Sequence, residues 1–215
     1  FLTFATSVSQ GNSFLNLDFE LAINGSNKPK KWYCQPKNCD TKVDSVVRFS
    51  GHYSLKVTSE GGYASCSNVF PIESALGKTI KICGYIKTEN LIGGTAGFWC
   101  RIEGRRNELG KNISFENMET SGPTGTTSWK KYFIDVEVDS LSENIVFGCN
   151  VNGRGQAWFD HIEIYVSNVK YNDVVPTITL PTKEDFRSLC SVAIPLVSPL
   201  ISTDNSDLKP LKGMI

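Results

Sequence analysis

The residues able to do covalent chemistry in this chain of 215 residues are few and scattered. It holds two histidines, His52 in the turn-like "SGHYS" and His161 beside Asp160 in "WFDHIEI". Catalysis of acyl or glycosyl transfer needs a nucleophile and a base held together, or two carboxylates in one cleft. Two histidines on separate segments offer no triad, and no serine stands in a "GxSxG" context. The glycine-rich "EGGY", "IGGTAG" and "VNGRGQ" lack phosphate-loop spacing and read as turns. There is no "CxxC" among the seven cysteines, so zinc is not expected either. These residues predict a chain that is not itself an enzyme.

Binding chemistry has better candidates. A sugar ring offers a C–H face that stacks on Trp or Tyr and hydroxyls that want Asn, Arg or Glu. In "AGFWCRIEG", strand alternation puts Trp99, Arg101 and Glu103 on one face, opposite Phe98, Cys100 and Ile102. Tyr85 and Lys87 are expected on the same sheet, and Asn150 and Asn152 add amides. The ligand-binding set predicted is therefore Trp99, Arg101, Glu103, Tyr85 and Asn150. The alternative stays open that Trp99 packs beneath a loop and Arg101 pairs with a carboxylate such as Glu116. Trp32 and Tyr33, in "KPKKWYC", are rim aromatics or plugs, and Trp158 is assigned to the core with Ile162 and Ile164. Trp129 opens the strand "WKKYFIDVEV" on the face opposite Tyr132, Ile134 and Val136, and is expected to latch a loop onto the sheet.

Short alternating runs separated by turns must position these groups. "SLKVTS", "KTIKICGYIKT", "AGFWCRIEG", "KKYFIDVEV", "NIVFGCNVNG" and "AWFDHIEIYV" all read as strands, and no helical period is sustained before residue 168. The expectation is an all-β fold, a two-sheet antiparallel jelly-roll sandwich, followed by a short helical C-terminal segment. That segment, "TKEDFRSLCSVAIPLVSPLI", has Thr182 as a cap and Glu184 and Asp185 at its positive end, and Pro195 and Pro199 to stop it.

Composition narrows the class of partner. There are 22 basic and 22 acidic residues, a formal charge of zero, which argues against nucleic acid. No run is apolar enough to span a membrane. The opening "FLTFATSVSQ" reads as the tail of a secretory signal peptide, or else as a first strand, and export would suit a disulfide. Cys34 and Cys39, five apart around Pro36, are candidates for that bond, while Cys83, Cys100 and Cys149 read as buried thiols. Location is expected to be secreted, periplasmic or at a bacterial cell surface.

The run "GYIKTENL…GGTAGFWCRIEG…ISFENMETSGPTGTTSWKKYFIDVEV…ENIVFGCNVNGRGQAWFDHIEIYVSN", with "LNLDFE" and "SGHYSLKV" upstream, resembles a known module. It is similar to an accessory β-sandwich of secreted, multidomain bacterial proteins. That module often precedes an erythromycin-esterase-like domain, sometimes a tail-specific-protease-like one, and similar modules adjoin some regulators. Cys100 after Trp99, and "TSGPTG" in place of a loop with a basic residue, depart from the pattern. "DLKPLKGMI" resembles the entry to the esterase-like domain, whose catalytic residues would fall beyond residue 215. The organisation implied is a signal remnant at 1–13, a jelly-roll module at 14–168, a linker at 169–182 and the start of a downstream esterase-like domain at 183–215. The partners implied are that downstream domain and a glycan or other polar ligand; the alternative role is purely structural, positioning the hydrolase. The upstream landmarks also resemble galactose-binding-like jelly rolls, which implies a structural Ca2+ held by Glu20 and Asp160, with carbonyls from Asp18 and the Ser50–Ser54 region. Asp160 falls on the apolar face by strict alternation, so it needs a metal, an ion pair or backbone donors.

Overall fold

The computed structural model describes residues 14–36, 40–104 and 112–173. The expected signal remnant, Cys39, the C-terminal helix and the downstream domain lie outside them. Within them are nine strands and one short 3-10 turn, Ile72–Ser74. The strands are β1 (Tyr33–Gln35), β2 (Asp40–Asp44), β3 (Ser54–Phe70), β4 (Thr79–Ile92) and β5 (Ala96–Gly104). They continue with β6 (Asn112–Asn117), β7 (Gly125–Glu137), β8 (Ser142–Val166) and β9 (Val169–Lys170). The all-β antiparallel sandwich expected from the alternation is what forms.

Two strands are far longer than the periodicity suggested, because β3 and β8 belong to both sheets. The first part of β3 pairs with the last part of β8 as Leu55↔Phe159 to Glu60↔Arg154. The pairing then shifts at Glu60/Tyr63 and resumes as Tyr63↔Asn152 to Phe70↔Ile145. The first sheet therefore runs β2–β3–β8–β4–β7, and the second β1–β3–β8–β5–β6. "EGGY" and "VNGRGQ" are not turns: they are the kinks where the paired strands pass from one sheet to the other. Gly61 and Gly62 (φ 117° and 124°) and Gly153 and Gly155 (φ 98° and 143°) take backbone angles that a side chain would resist.

Alternation then fills the space between the sheets. Ile80, Ile82 and Ile86 from β4, Phe98, Cys100 and Ile102 from β5, and Ile145, Phe147, Cys149 and Val151 from β8 all point inward and are buried. Leu15, Leu17 and Phe19 fold in from the N-terminal side and join the same core. Each such large side chain contributes roughly 1.5–3 kcal/mol on burial. Trp32 is a plug: it packs on Phe19 and Phe147 at ring distances of 5.0 and 5.6 Å, and its Nε1–H donates to the Asn16 carbonyl at 3.0 Å.

Three expectations are corrected. Cys34 bonds to Cys66 across β1 and β3, not to Cys39, because the strand pairing sets the two side by side. Val169 and Lys170, expected in a linker, pair with Val166 and Tyr165 as β9. Trp158 is buried but not in the core. A bulge, where Tyr85↔Asp160 is followed by Cys83↔Glu163, reverses the alternation in β8. Phe159, Ile162 and Ile164 face inward, while Trp158 lies outward beneath Lys56 and Lys87 and donates to Asp44 Oδ2 at 2.8 Å.

Candidate functional site

The outward face of the second sheet collects Trp99, Arg101, Glu103 and Asn150, as the sequence led one to expect. One row across the strands is Tyr33–Ser67–Gly148–Trp99–Asn117, and the next is Val69–Val146–Arg101–Phe115. On the other side lie Gln35–Ser65–Asn150–Gly97 and then Tyr63–Asn152. Trp99 is 7% exposed and spreads over the β8 backbone. A Cβ on Gly148 would come within 2.9 Å of the indole Cε2 and Nε1, so the missing side chain is what lets the ring lie flat. Phe115 sits beside it, ring centroids 6.5 Å apart.

Polar groups are fixed on this floor. Glu103 accepts Arg101 Nη2 at 2.7 Å and Asn144 Nδ2 at 2.9 Å, which orients the guanidinium across the face. The pairing with Glu116 considered from sequence is not the one made. Two donors in adjacent rows, Trp99 Nε1 and Arg101 Nε, are enclosed without an acceptor. Buried donors are nearly always paired, so two orphans side by side call for a reason. Three aromatics frame the face, Tyr33 and Tyr63 each 54% exposed and Phe115 50% exposed. Burial raises the pKa of the Tyr63 hydroxyl, against the Ser65 hydrogen bond and the Arg101 charge. A cleft of about 280 Å³ opens beside Tyr63, between Pro36, Asp40 and Glu60. Tyr63 was missed because "EGGY" read as a turn, and Phe115 because its short strand carries no strong period.

Tyr85 does not belong to this set. It lies on β4, in the first sheet, where Phe49 stacks on it at 3.5 Å with an interplanar angle of 15°. Trp129 meets the edge of Phe49 at 6.0 Å, which is the loop latch expected of it.

The residues expected to hold calcium do meet one loop, 45–53. Asp160 is fully buried on the outward side of β8. Its Oδ2 accepts the amides of Phe49 and Ser50 at 2.7 and 2.9 Å, and its Oδ1 accepts that of His161 at 2.6 Å. Burial pushes its carboxyl up, against the pull of these three amides. Glu20 Oε1 accepts the amides of His52 and Tyr53 at 2.8 and 3.0 Å, and Asp18 Oδ1 that of Glu20 at 3.3 Å. A calcium wants an oxygen cage, whereas these carboxylates are met by N–H donors, so this arrangement does not fit the ion. Among the described residues no group of three or more His, Cys, Asp or Glu is placed to hold a metal.

The first sheet also brings Ser50 Oγ to 3.4 Å from His161 Nδ1, and Glu163 to 3.8 Å from His161 Nε2. These separations exceed working hydrogen-bond reach for a triad, and Glu163 is already held by Lys131 and Lys170 at 2.7 and 2.6 Å. The buried thiols are equally unsuited to nucleophilic work: burial raises Cys83, pushes Cys100 up to about 12 and holds Cys149 well above its ordinary value.

The architecture can now be compared with known proteins. In solved structures, it aligns with the CBM22-2 xylan-binding domain of Paenibacillus barcinonensis Xyn10C at TM-score 0.50 and 13% identity, covering 72% of this chain and 97% of that one. The jelly-roll fold is one this chain shares with that domain. The CBM22-1–GH10 modules of Clostridium thermocellum xylanase 10B, solved with xylohexaose, align at TM-score 0.51 and 11% identity, covering 72% of this chain and 28% of that one. The enzymatically active domain of bacteriophage CBA120 tailspike protein 4 aligns at 0.53 and 13%, covering 72% and 21%. By sequence, the chain is 32% identical over 109 residues to a Bacillus subtilis (strain 168) protein named as an uncharacterized HTH-type transcriptional regulator, YbfP. That likeness covers 51% of this chain and 36% of the regulator, so the chain spans about a third of that relative's length. No family model matches.

Proposed function

We propose that this jelly roll is a non-catalytic carbohydrate-binding module that lays a glycan across the outward face of its second sheet. The observation that carries the reading is the grouping, on one face, of exposed Tyr33, Tyr63 and Phe115 with the ion-paired Arg101 and Glu103 side chains, each about a third exposed. Sugar C–H faces suit the rings, and sugar hydroxyls suit the guanidinium, Glu103, Asn150 and Asn152. The xylan-binding neighbours support a β-linked polysaccharide as the first ligand to try. Titration with xylohexaose is expected to give binding, weakened about tenfold to a hundredfold by Arg101→Ala or Tyr63→Ala, the loss of one charged hydrogen bond or one stacking ring. A glycan panel on which the wild-type chain shows no ligand would end this reading.

The module serves, in this reading, as an accessory to a larger bacterial protein outside the cytoplasm. The Cys34–Cys66 disulfide supports export. An erythromycin-esterase-like hydrolase remains the parent proposed from the resemblance, while the likeness to a regulator supports a module shared by parents with different outputs. Val69 and Phe115, apolar and half exposed on the same face, favour the second reading, a structural domain packed on its neighbour. Deleting the module then lowers the parent's melting temperature even where no glycan binds.

A further inference from the structure

The loop 45–53 is held with unusual thoroughness for a surface connection. Asp160 and Glu20 take four of its backbone amides, Asp44 Oδ1 takes those of Val46 and Val47, and Arg48 donates to the carbonyls of Ser45 and Gly51. Burying Asp160 completely is costly in isolation, yet what it immobilises is a loop that presents Phe49 at 42% exposure. Rigid presentation of an apolar side chain lowers the entropy lost when a ligand covers it.

Beneath Phe49 lies Tyr85, stacked face to face, with Trp129 and His161 edge-on at 6.0 and 6.3 Å. One face of Phe49 is thus covered and its exposed area lies on the other. His161 reaches this position through the β8 bulge, at a left-handed φ of 51° that a residue with a side chain adopts at a cost. Charge lies alongside. Lys131 Nζ is 5.9 Å from the Tyr85 ring centre, and Lys131 and Lys170 share the single carboxylate of Glu163, one cation more than that carboxylate balances, while the Asp160 carboxylate nearby is turned inward to three backbone amides.

From this we infer a second site, on the first sheet, for an acidic sugar. A uronate residue stacks its C–H face on Phe49 while its carboxylate meets the surplus charge of Lys131 and Lys170. The site is independent of the face around Trp99 and of any ligand bound there.

Calorimetric titration of the 215-residue chain with tri-galacturonate, against galactotriose as the uncharged counterpart, tests it. The acidic trisaccharide is expected to bind about tenfold tighter or better, and that advantage to shrink with added salt. Phe49→Ala and, separately, Lys131→Gln are each expected to weaken it about tenfold, with far-UV circular dichroism unchanged. In amide-resolved NMR spectra, tri-galacturonate is expected to shift residues 48–51, 130–132 and 161–163. Equal affinity for the two trisaccharides, no binding of either, or shifts confined to Tyr63, Trp99 and Arg101 would overturn the inference. Failure of the xylohexaose titration leaves it untouched.

Discussion

Glu163 accepts Lys131 and Lys170 at 2.7 and 2.6 Å and is itself largely covered. Burial alone would raise its pKa, but the two lysines outweigh it and hold the carboxyl at about 2 instead of 4.5. A depressed folded-state pKa contributes stability that is fully present above 4.5 and drains away as pH falls toward 2. Because both lysines are about half exposed, we put the contribution at on the order of 1–2 kcal/mol. Glu163→Gln should therefore be less stable than wild type at pH 7, with the gap closing between about pH 5 and pH 2 in parallel melting curves. A gap that does not change with pH would contradict the ion-pair account. The comparison must be with the variant, not the absolute curve, since Asp160 has a raised pKa and works with the opposite sign. Trp99, Arg101 and Glu103 were legible because alternation within one strand decides which residues share a face, and Asn150 joins them only because β8 pairs with β5. Tyr85 was misplaced because alternation says nothing about which sheet a strand joins.

At the scale of elements, the device that makes the sandwich is the passage of β3 and β8 from one sheet to the other. Gly155, at φ 143°, leaves no room: an added Cβ would lie 2.5 Å from the Asn90 carbonyl oxygen and 2.6 Å from Leu91 Cα. Gly61, at φ 117°, has nothing within 4 Å. Gly155→Ala should cost about 3 kcal/mol or more in urea unfolding, since strain and a backbone clash add, whereas Gly61→Ala should cost about 1 kcal/mol from strain alone. Similar losses for the two would contradict the crossover as the tight point. Sequence reasoning found the strands but cut these two in half, because two glycines within an alternating run look the same whether the chain turns back or only kinks. The bulge at His161 was hidden for a related reason: one extra residue flips every later side chain, so Trp158 and Asp160 were assigned to the wrong face.

For the whole molecule, the Cys34–Cys66 bond ties the three-residue β1 to the second sheet across 32 residues of chain. Closing a loop of that length restricts the unfolded chain by about 3–4 kcal/mol. Reduction, or the Cys34→Ala/Cys66→Ala double variant, should lower the unfolding free energy by about 2–4 kcal/mol, and an unchanged midpoint would contradict that role. β1 also carries Tyr33, so the same bond holds one wall of the proposed glycan face. Architecture was readable from period and turns, but a face can be recognised as a site only once strands distant in sequence lie side by side. The central claim is that this face binds carbohydrate, and xylohexaose titrated into the wild-type chain and into Arg101→Ala tests it most directly. The account predicts saturable binding by the wild type and a loss of about tenfold or more in the variant, with both proteins equally folded. Equal affinity in the two, with xylohexaose bound, would contradict the assignment of the site to this face.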